Sequence, residues 1–354
     1  MKAWAVVECG KPLQEIDLPL PEPQGDEVLL EVTHAGVCHS DIHIWEGEYD
    51  LGGRGKLRMQ DRGMTLPLAM GHEIVGRVLI CGPGAAGKVK PGDVRLVFPW
   101  VGCGTCAACQ RDEENMCPRG QSLGVYRNGG YATHVLALHW KHLVAIDGLD
   151  PALAATYACS GVTVFSAARK VLPLPPEEPV VLVGAGGLGL NAIAVLKALG
   201  HRRIVSVDVD PGKLVAAAAQ GATDTVLADD DGPATTARIV AAAGGPVAAV
   251  IDLVNGTKTA AFAFDALRKG GKLVQVGLFG GEMRVPLPLM PIRALTIQGS
   301  YVGDVKELRE LVAIAQQGKI PPIPVTTQPL PTADAALNRL RSGQVTGRIV
   351  LTAA

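Results

Sequence analysis

The sequence is poor in aromatic residues, at 4%, and carries almost no net charge, −1 with histidines neutral. Scarce aromatics leave the interior to Ala, Val, Leu and Gly, which suit close packing of helices on a sheet. Near-neutrality without a long basic run gives a nucleic-acid backbone little to hold, so no nucleic-acid partner is expected. There is no run of about eighteen apolar residues, so no membrane-spanning helix is expected. The opening MKAWAVVECG lacks a basic stretch followed by a long apolar one, which argues against a secretory signal and for a cytoplasmic location. Thiols stay reduced there, so the eight cysteines are not read as four disulfides.

Small apolar residues are abundant. With 48% hydrophobic residues in 354 and 43 glycines, the chain is long and apolar enough for two domains. Ala3–Glu8, Glu27–Ala35, Glu73–Ile80 and Val94–Phe98 are short runs broken by Gly and Pro, and they predict a β-rich first part. Glu46–Thr65 has charge and glycine but no period, which predicts a surface excursion. From about Pro151, buried strands are expected at Pro179–Val183, Arg203–Val209, Asp224–Leu227, Val247–Val254 and Lys272–Leu278. Helices are expected between them at Leu188–Leu199, Gly212–Gln220, Pro233–Ala243 and Lys258–Arg268. That alternation predicts an α/β fold on a doubly wound parallel sheet. After Leu295 the texture is mixed again, and periodicity alone does not assign the tail to either part.

Four cysteines, Cys103, Cys106, Cys109 and Cys117, fall within fifteen residues as C-x2-C-x2-C-x7-C. Thiolates at this density suit tetrahedral zinc with a closed shell, which is structural and not catalytic. Cys38, His72 and Cys159 form a second set. Three protein ligands leave one position open for substrate. Cys9 and Cys81 are left over and read as structural.

The strand at Pro179–Val183 runs into Gly184-Ala-Gly186-Gly187-Leu-Gly189 and then into a helical segment. Glycines there permit a tight turn and close approach of backbone to a pyrophosphate, with the helix N-terminus facing the phosphates. Asp208 closes the second strand twenty-four residues after Gly184. An acid at that place accepts from the adenosine ribose hydroxyls and repels a 2′-phosphate, which favours NAD over NADP. Lys213 is placed to help at the same ribose.

The motifs GVCHSDIH, GHE, CGTCAACQRDEENMC, ACSGVTVF and GAGGLG occur in this order. In this the chain resembles the zinc-dependent medium-chain alcohol dehydrogenases over essentially its whole length. The long excursion, Pro99-Trp100 and the VGLFG segment from Val276 most resemble the archaeal-type tetrameric, NAD-dependent members. The resemblance implies a β-rich GroES-like catalytic domain of residues 1–153 and 295–354, with a structural-zinc lobe near 99–118. It implies an NAD-binding Rossmann domain of residues 154–294 between them. Cys38, His72 and Cys159 would hold a catalytic zinc, with Glu73 as a near or exchangeable ligand. Asp41 would orient His72. Ser40 would hydrogen-bond the alcohol oxygen, and His43 would end a proton relay running through the cofactor ribose. His39 and Arg348 would face the pyrophosphate, and Val276 would join the cofactor contacts. The Cys103, Cys106, Cys109 and Cys117 quartet would hold the second zinc.

The implied reaction is reversible hydride transfer between a primary or secondary alcohol and NAD, in a homo-oligomer with a tetramer favoured over a dimer. Two alternatives stay open. One is an NADPH-linked aldehyde or ketone reductase of the same family. The other is a non-enzymatic zinc-ribbon or redox module, against which the second metal set counts. Trp100 reads equally as a pocket residue or as packing beside the lobe.

Overall fold

The computed structural model describes residues 1–353. Its second sheet has six strands, all parallel, in the spatial order Asp224–Leu227, Ile204–Asp208, Val180–Val183, Val247–Asp252, Leu267–Gln275 and Thr296–Gly299. The order reverses at Val180–Val183, which makes the sheet doubly wound and places a crevice beyond its carboxyl ends. Val180–Val183 is buried throughout, as a strand covered on both faces must be. Helices Gly187–Ala198, Pro211–Gln220, Gly232–Ala243 and Thr257–Asp265 connect the strands, each within a residue or so of its sequence-based start.

The first sheet is largely antiparallel. Its path runs Leu143–Ala145, Val94–Val97, Glu73–Cys81, Val28–Val37, Arg348–Thr352 and Val325–Pro329. The C-terminal strand thus lies against Val28–Val37, and this domain is built from both ends of the chain. The return comes later than the expected residue 295. Thr296–Gly299 pairs in parallel with Lys272–Gln275 and stays in the second sheet, and Val325–Pro329 is the first strand back. A short apolar strand followed by a helix fits either sheet, so the local pattern could not set that boundary.

A run of helix from Pro151 to Val171 joins the two sheets. Asp150 caps it by accepting from the N–H groups of Ala152 and Leu153 at 2.7 and 3.3 Å, with Pro151 in the first turn. Its middle, Tyr157–Gly161, is a π-helical turn. By length and composition this run reaches the membrane-spanning range, contrary to the expectation from the sequence. Yet 89% of its most apolar window is buried inside the fold, so its apolar surface is already used in packing. The Glu46–Thr65 excursion is ordered by a small hairpin, Glu48–Asp50 with Lys56–Arg58. It leans on the second domain, where Gly53 N–H donates to Glu282 Oε2 at 3.3 Å and Gly281 N–H to Asp50 O at 3.3 Å.

Candidate metal centres and dinucleotide cleft

Cys38 ends the strand Val28–Val37 and caps the helix His39–Glu46. Its N–H donates to Asp41 Oδ2 at 2.9 Å. Tyr131 Oη donates to the same oxygen at 2.9 Å, and Asp41 Oδ1 lies 3.1 Å from His72 Nδ1. Asp41 and His72 are both fully buried. His72 therefore turns Nδ1 to the carboxylate and leaves Nε2, buried and without a hydrogen-bond partner among the described residues, for another ligand. Cys159 stands in the π-turn, a device frequent at functional sites. Its sulfur is 3.8 Å from that of Cys38.

The ligand atoms of Cys38, His72 and Cys159 all lie within 4.8 Å of one another. A zinc tetrahedron with Zn–S bonds of about 2.3 Å has S–S edges of about 3.8 Å. The geometry and the orphaned imidazole nitrogen fit zinc. Cys38 is the more acidic thiol of the pair. The Cys159 thiol and the His72 imidazole hold its thiolate against the opposing cost of burial.

Glu73 stands beside this cage and not in it. Its Oε1 accepts from Ser160 N–H at 3.1 Å, and its other oxygen pairs with the buried Arg348 guanidinium. Glu73, expected as a near or exchangeable ligand, thus lies next to the cage with both oxygens engaged by protein groups. Arg348 also meets the glycine loop: a Cβ on Gly187 would stand 2.3 Å from Arg348 Cδ. Arg348 Nε is buried without a partner among the described residues.

Ser40 and His43 are three residues apart on one helix and share a face. The His43 ring lies 5.8 Å from that of His39 and 5.1 Å from that of Tyr49, and its Nε2 is buried without a partner among the described residues. Burial, helped by His39, pushes His43 down to about 4, so the imidazole is neutral at ordinary pH. His39 itself is exposed at the first helical position.

The glycine loop joins Val180–Val183 to the helix Gly187–Ala198. Gly184 has φ +102°, and a Cβ on Gly189 would stand 2.0 Å from Gly184 O. Around Gly186 nothing lies within 4 Å of where a Cβ would be, leaving room for a ligand against the backbone. Asp208 braces the loop: Oδ2 accepts from Ala185 N–H at 2.7 Å and Oδ1 from Asp210 N–H at 3.0 Å. Asp210, not Asp208, caps the next helix, accepting from Gly212 N–H at 2.7 Å and from Lys213 N–H at 3.4 Å. Val276 leaves its strand with its N–H on Asp252 O at 2.9 Å.

The four lobe cysteines also converge within 4.8 Å. Cys106 Sγ lies 3.5 Å from Cys109 Sγ and 3.7 Å from Cys117 Sγ, too far for a disulfide and suited to a shared ion. Cys117 Sγ accepts from Cys103 N–H and Arg119 N–H at 3.3 and 3.4 Å. Glu114 ties the lobe to the first domain, accepting from Gly102 N–H at 2.8 Å and facing His142 Nε2 at 3.2 Å and Lys141 Nζ at 2.5 Å.

A cleft of about 770 Å³ opens between the excursion, the lobe and the second domain. Its walls carry Tyr49 and Tyr126 from the first domain and Asn255, Gln275, Gly277 and Tyr301 from the second. Trp100 is buried behind it, with its ring 5.9 Å from Tyr301 and 5.2 Å from His72. Its Nε1 donates to Ala158 O at 3.0 Å, so Trp100 packs between cage and cleft. Sequence reasoning missed Tyr131, the three cleft tyrosines and Asn255. The scarcity of tyrosine, five in all, was the one available signal.

Residues 24–148 match the family model for the alcohol dehydrogenase GroES-like domain, and residues 187–317 that for zinc-binding dehydrogenase. The chain is 38% identical to the NAD-dependent alcohol dehydrogenase of Sulfurisphaera tokodaii, covering 99% of each chain. It is 31% identical to the D-arabinose 1-dehydrogenase (NADP(+)) of Saccharolobus solfataricus, covering 99% of this chain and 97% of that one. Among solved structures, the alcohol dehydrogenase of Aeropyrum pernix aligns with a TM-score of 0.89 at 31% identity, over 99% of this chain and 100% of that one. Fold and site thus define a class, the two-domain zinc-binding dehydrogenases. Within it, the chain belongs to the zinc-containing medium-chain alcohol dehydrogenase family.

Proposed function

We propose that the protein is an NAD-linked alcohol dehydrogenase, interconverting a primary or secondary alcohol with its aldehyde or ketone. One observation carries the reading. Cys38, His72 and Cys159 come from three distant stretches and meet within 4.8 Å, joined through Glu73 and Arg348 to a glycine loop suited to a dinucleotide. When bound, zinc supplies Lewis acidity at the substrate oxygen and NAD accepts the hydride. The chain's own residues supply the rest. Cys38 and Cys159 hold the ion by thiolate, and Asp41 fixes the His72 tautomer that offers Nε2. Ser40 would hydrogen-bond the alcohol oxygen, its hydroxyl giving up its own proton toward the His43 side as it accepts the alcohol's. His43, neutral and on the same helix face, passes that proton outward. Arg348 turns its free Nε, and His39 its exposed ring, to the pyrophosphate at Gly184, Gly186, Gly187 and Gly189. Asp208 and Lys213 receive the adenosine ribose, and Val276 borders the nicotinamide end. Cys103, Cys106, Cys109 and Cys117 would hold the second zinc, which would fix the lobe wall of the cleft.

The NADP name of one relative keeps an NADPH-linked reductase as the second reading. Asp208 counts against it. Arg202 pairs with Glu177 at 3.1 Å, on an exposed surface before the strand. Titrating NAD and NADP against a panel of primary, secondary, aromatic and polyol alcohols, with zinc counted per chain, tests the proposal. NAD reduction by at least one alcohol supports it, and no turnover by a zinc-loaded, NAD-binding protein refutes it. A cytoplasmic homo-oligomer, tetrameric before dimeric, belongs to the same proposal. The exposed Leu278, Phe279, Leu287 and Ile292 lie in the segment leading to Thr296–Gly299, which ends the second sheet with a free edge.

A further inference from the structure

Asn191 belongs to neither metal set nor the phosphate loop. It is a buried amide, 1% exposed, on the helix that begins at the glycine loop. Its neighbours Leu190, Ala192 and Ile193 are buried and apolar, so packing alone asks for no polar group there. A buried amide is costly unless its hydrogen bonds are made.

Asn191 Nδ2 donates to Ser160 Oγ at 2.8 Å, and Ser160 Oγ donates to Thr156 O at 2.8 Å. Ser160 follows Cys159 in the π-turn, and its N–H donates to Glu73 Oε1 at 3.1 Å. Glu73 adjoins His72 and pairs with Arg348, which touches the loop at Gly187. The circuit is closed. One arm runs from the dinucleotide helix through Asn191 and Ser160 to the turn that carries Cys159. The other runs from the same turn through Glu73 and Arg348 back to the dinucleotide loop. Every side chain in it is buried. A π-turn departs from the regular helical ladder and recurs at functional sites.

We propose that Asn191 is a positioning residue that couples dinucleotide occupancy at the glycine loop to the placement of Cys159 in the metal cage. The inference rests on the dehydrogenase reading above. Ordering the loop and the start of its helix orders Asn191, and with it the Ser160–Cys159 turn. By linkage the effect is reciprocal: metal in the cage changes NAD affinity by the factor by which NAD changes metal affinity.

NAD is titrated calorimetrically into fully loaded protein. It is titrated again into protein stripped at Cys38, His72 and Cys159 by a chelator, with metal analysis confirming that the four-cysteine zinc remains. The loaded and stripped proteins should differ about 5-fold or more in NAD Kd. Asn191→Leu should at least halve that ratio, the Glu73–Arg348 arm keeping the remainder, and Ser160→Ala should do the same, with no further loss in the double variant. With cobalt in the cage, NAD should shift the thiolate-to-metal absorption of the unmodified protein and shift that of Asn191→Leu measurably less. A wild-type ratio near unity despite NAD binding, or an unchanged ratio in either variant, overturns the coupling. If Asn191→Leu does not fold, Ser160→Ala decides alone. No NAD binding by the unmodified protein overturns instead the dehydrogenase reading.

Discussion

Asp41 carries three partners, and its removal gives the sharpest test of how the cage is built. In Asp41→Ala the Cys38 N–H and the Tyr131 hydroxyl, both bonded to Oδ2 at 2.9 Å, lose their acceptor. His72 Nδ1 loses the carboxylate oxygen 3.1 Å away. Each buried donor left unsatisfied costs about 1–3 kcal/mol, so the first two together cost about 2–6 kcal/mol. Relief from burying a carboxylate offsets part of this, which places the expected loss toward the lower end. The His72 contact acts on the metal. Removing the group that orients a ligating imidazole weakens metal binding by about 10–100-fold. Chelator competition at the cage measures the second effect, and urea unfolding of zinc-saturated protein measures the first. Asp41→Asn keeps the shape but turns one acceptor into a donor facing donors, so it should recover little of either. Zinc affinity within about 2-fold of wild type in Asp41→Ala would refute the claim that this carboxylate sets the imidazole.

The other predictions separate the remaining parts. Ser40→Ala should lower turnover by about 100-fold or more at unchanged zinc content, because proton transfer is lost and no ligand is touched; steady-state kinetics with metal analysis checks it, and full activity removes Ser40 from the relay. Gly189→Ala places a methyl 2.0 Å from Gly184 O, so the loop must open and calorimetric NAD binding should be lost while zinc content is kept. Glu114 should make the lobe acid-sensitive. Burial pushes its carboxyl up, but His142, Lys141 and the Gly102 N–H outweigh that and hold it at about 2, below the ordinary 4.5. A carboxyl depressed in the folded state contributes fully above about pH 4.5, and the contribution drains away as pH falls from there toward 2. Lys141 is 32% exposed, and with solvent screening discounted the contribution is about 1–2 kcal/mol. Unfolding free energy measured across that range should fall less steeply for Glu114→Gln, and parallel curves would refute the assignment.

How much of this was legible depended on how local each feature is. The lobe cysteines lie within fifteen residues, so spacing alone announced a metal. The glycine loop was equally plain, because strand, turn and helix follow each other along the chain. Asp208 was found as an acid at a strand end, but its two bonds to Ala185 and Asp210 backbone were not, since no side-chain pattern encodes them. Tyr131 sits in Gly130-Tyr131-Ala132 with nothing nearby to mark it, and it reaches Asp41 across ninety residues. The pattern of Thr296–Gly299 left its sheet open, the expected return at 295 came with the resemblance, and only pairing with Lys272–Gln275 decides.

Sheet register explains how the non-local cage becomes one object. Gly36 pairs with Glu73 on one side and Val350 on the other, and Val37 pairs with Ile349. The strand that ends at Val37 therefore delivers Cys38 between His72-Glu73 and Arg348. A Cβ on Gly36 would stand 2.1 Å from Glu73 Oε2, so the glycine is what lets that carboxylate lie against the strand. A slip of one residue in either pairing would turn the alternating side chains to the opposite face and part Cys38 from His72. Only Cys159 arrives from outside this sheet, and it comes on a turn pinned by Glu73 on one side and Asn191 on the other. Two ligands are set by backbone pairing and the third by buried polar contacts to the dinucleotide helix. The third is therefore the ligand most open to influence from the cofactor side.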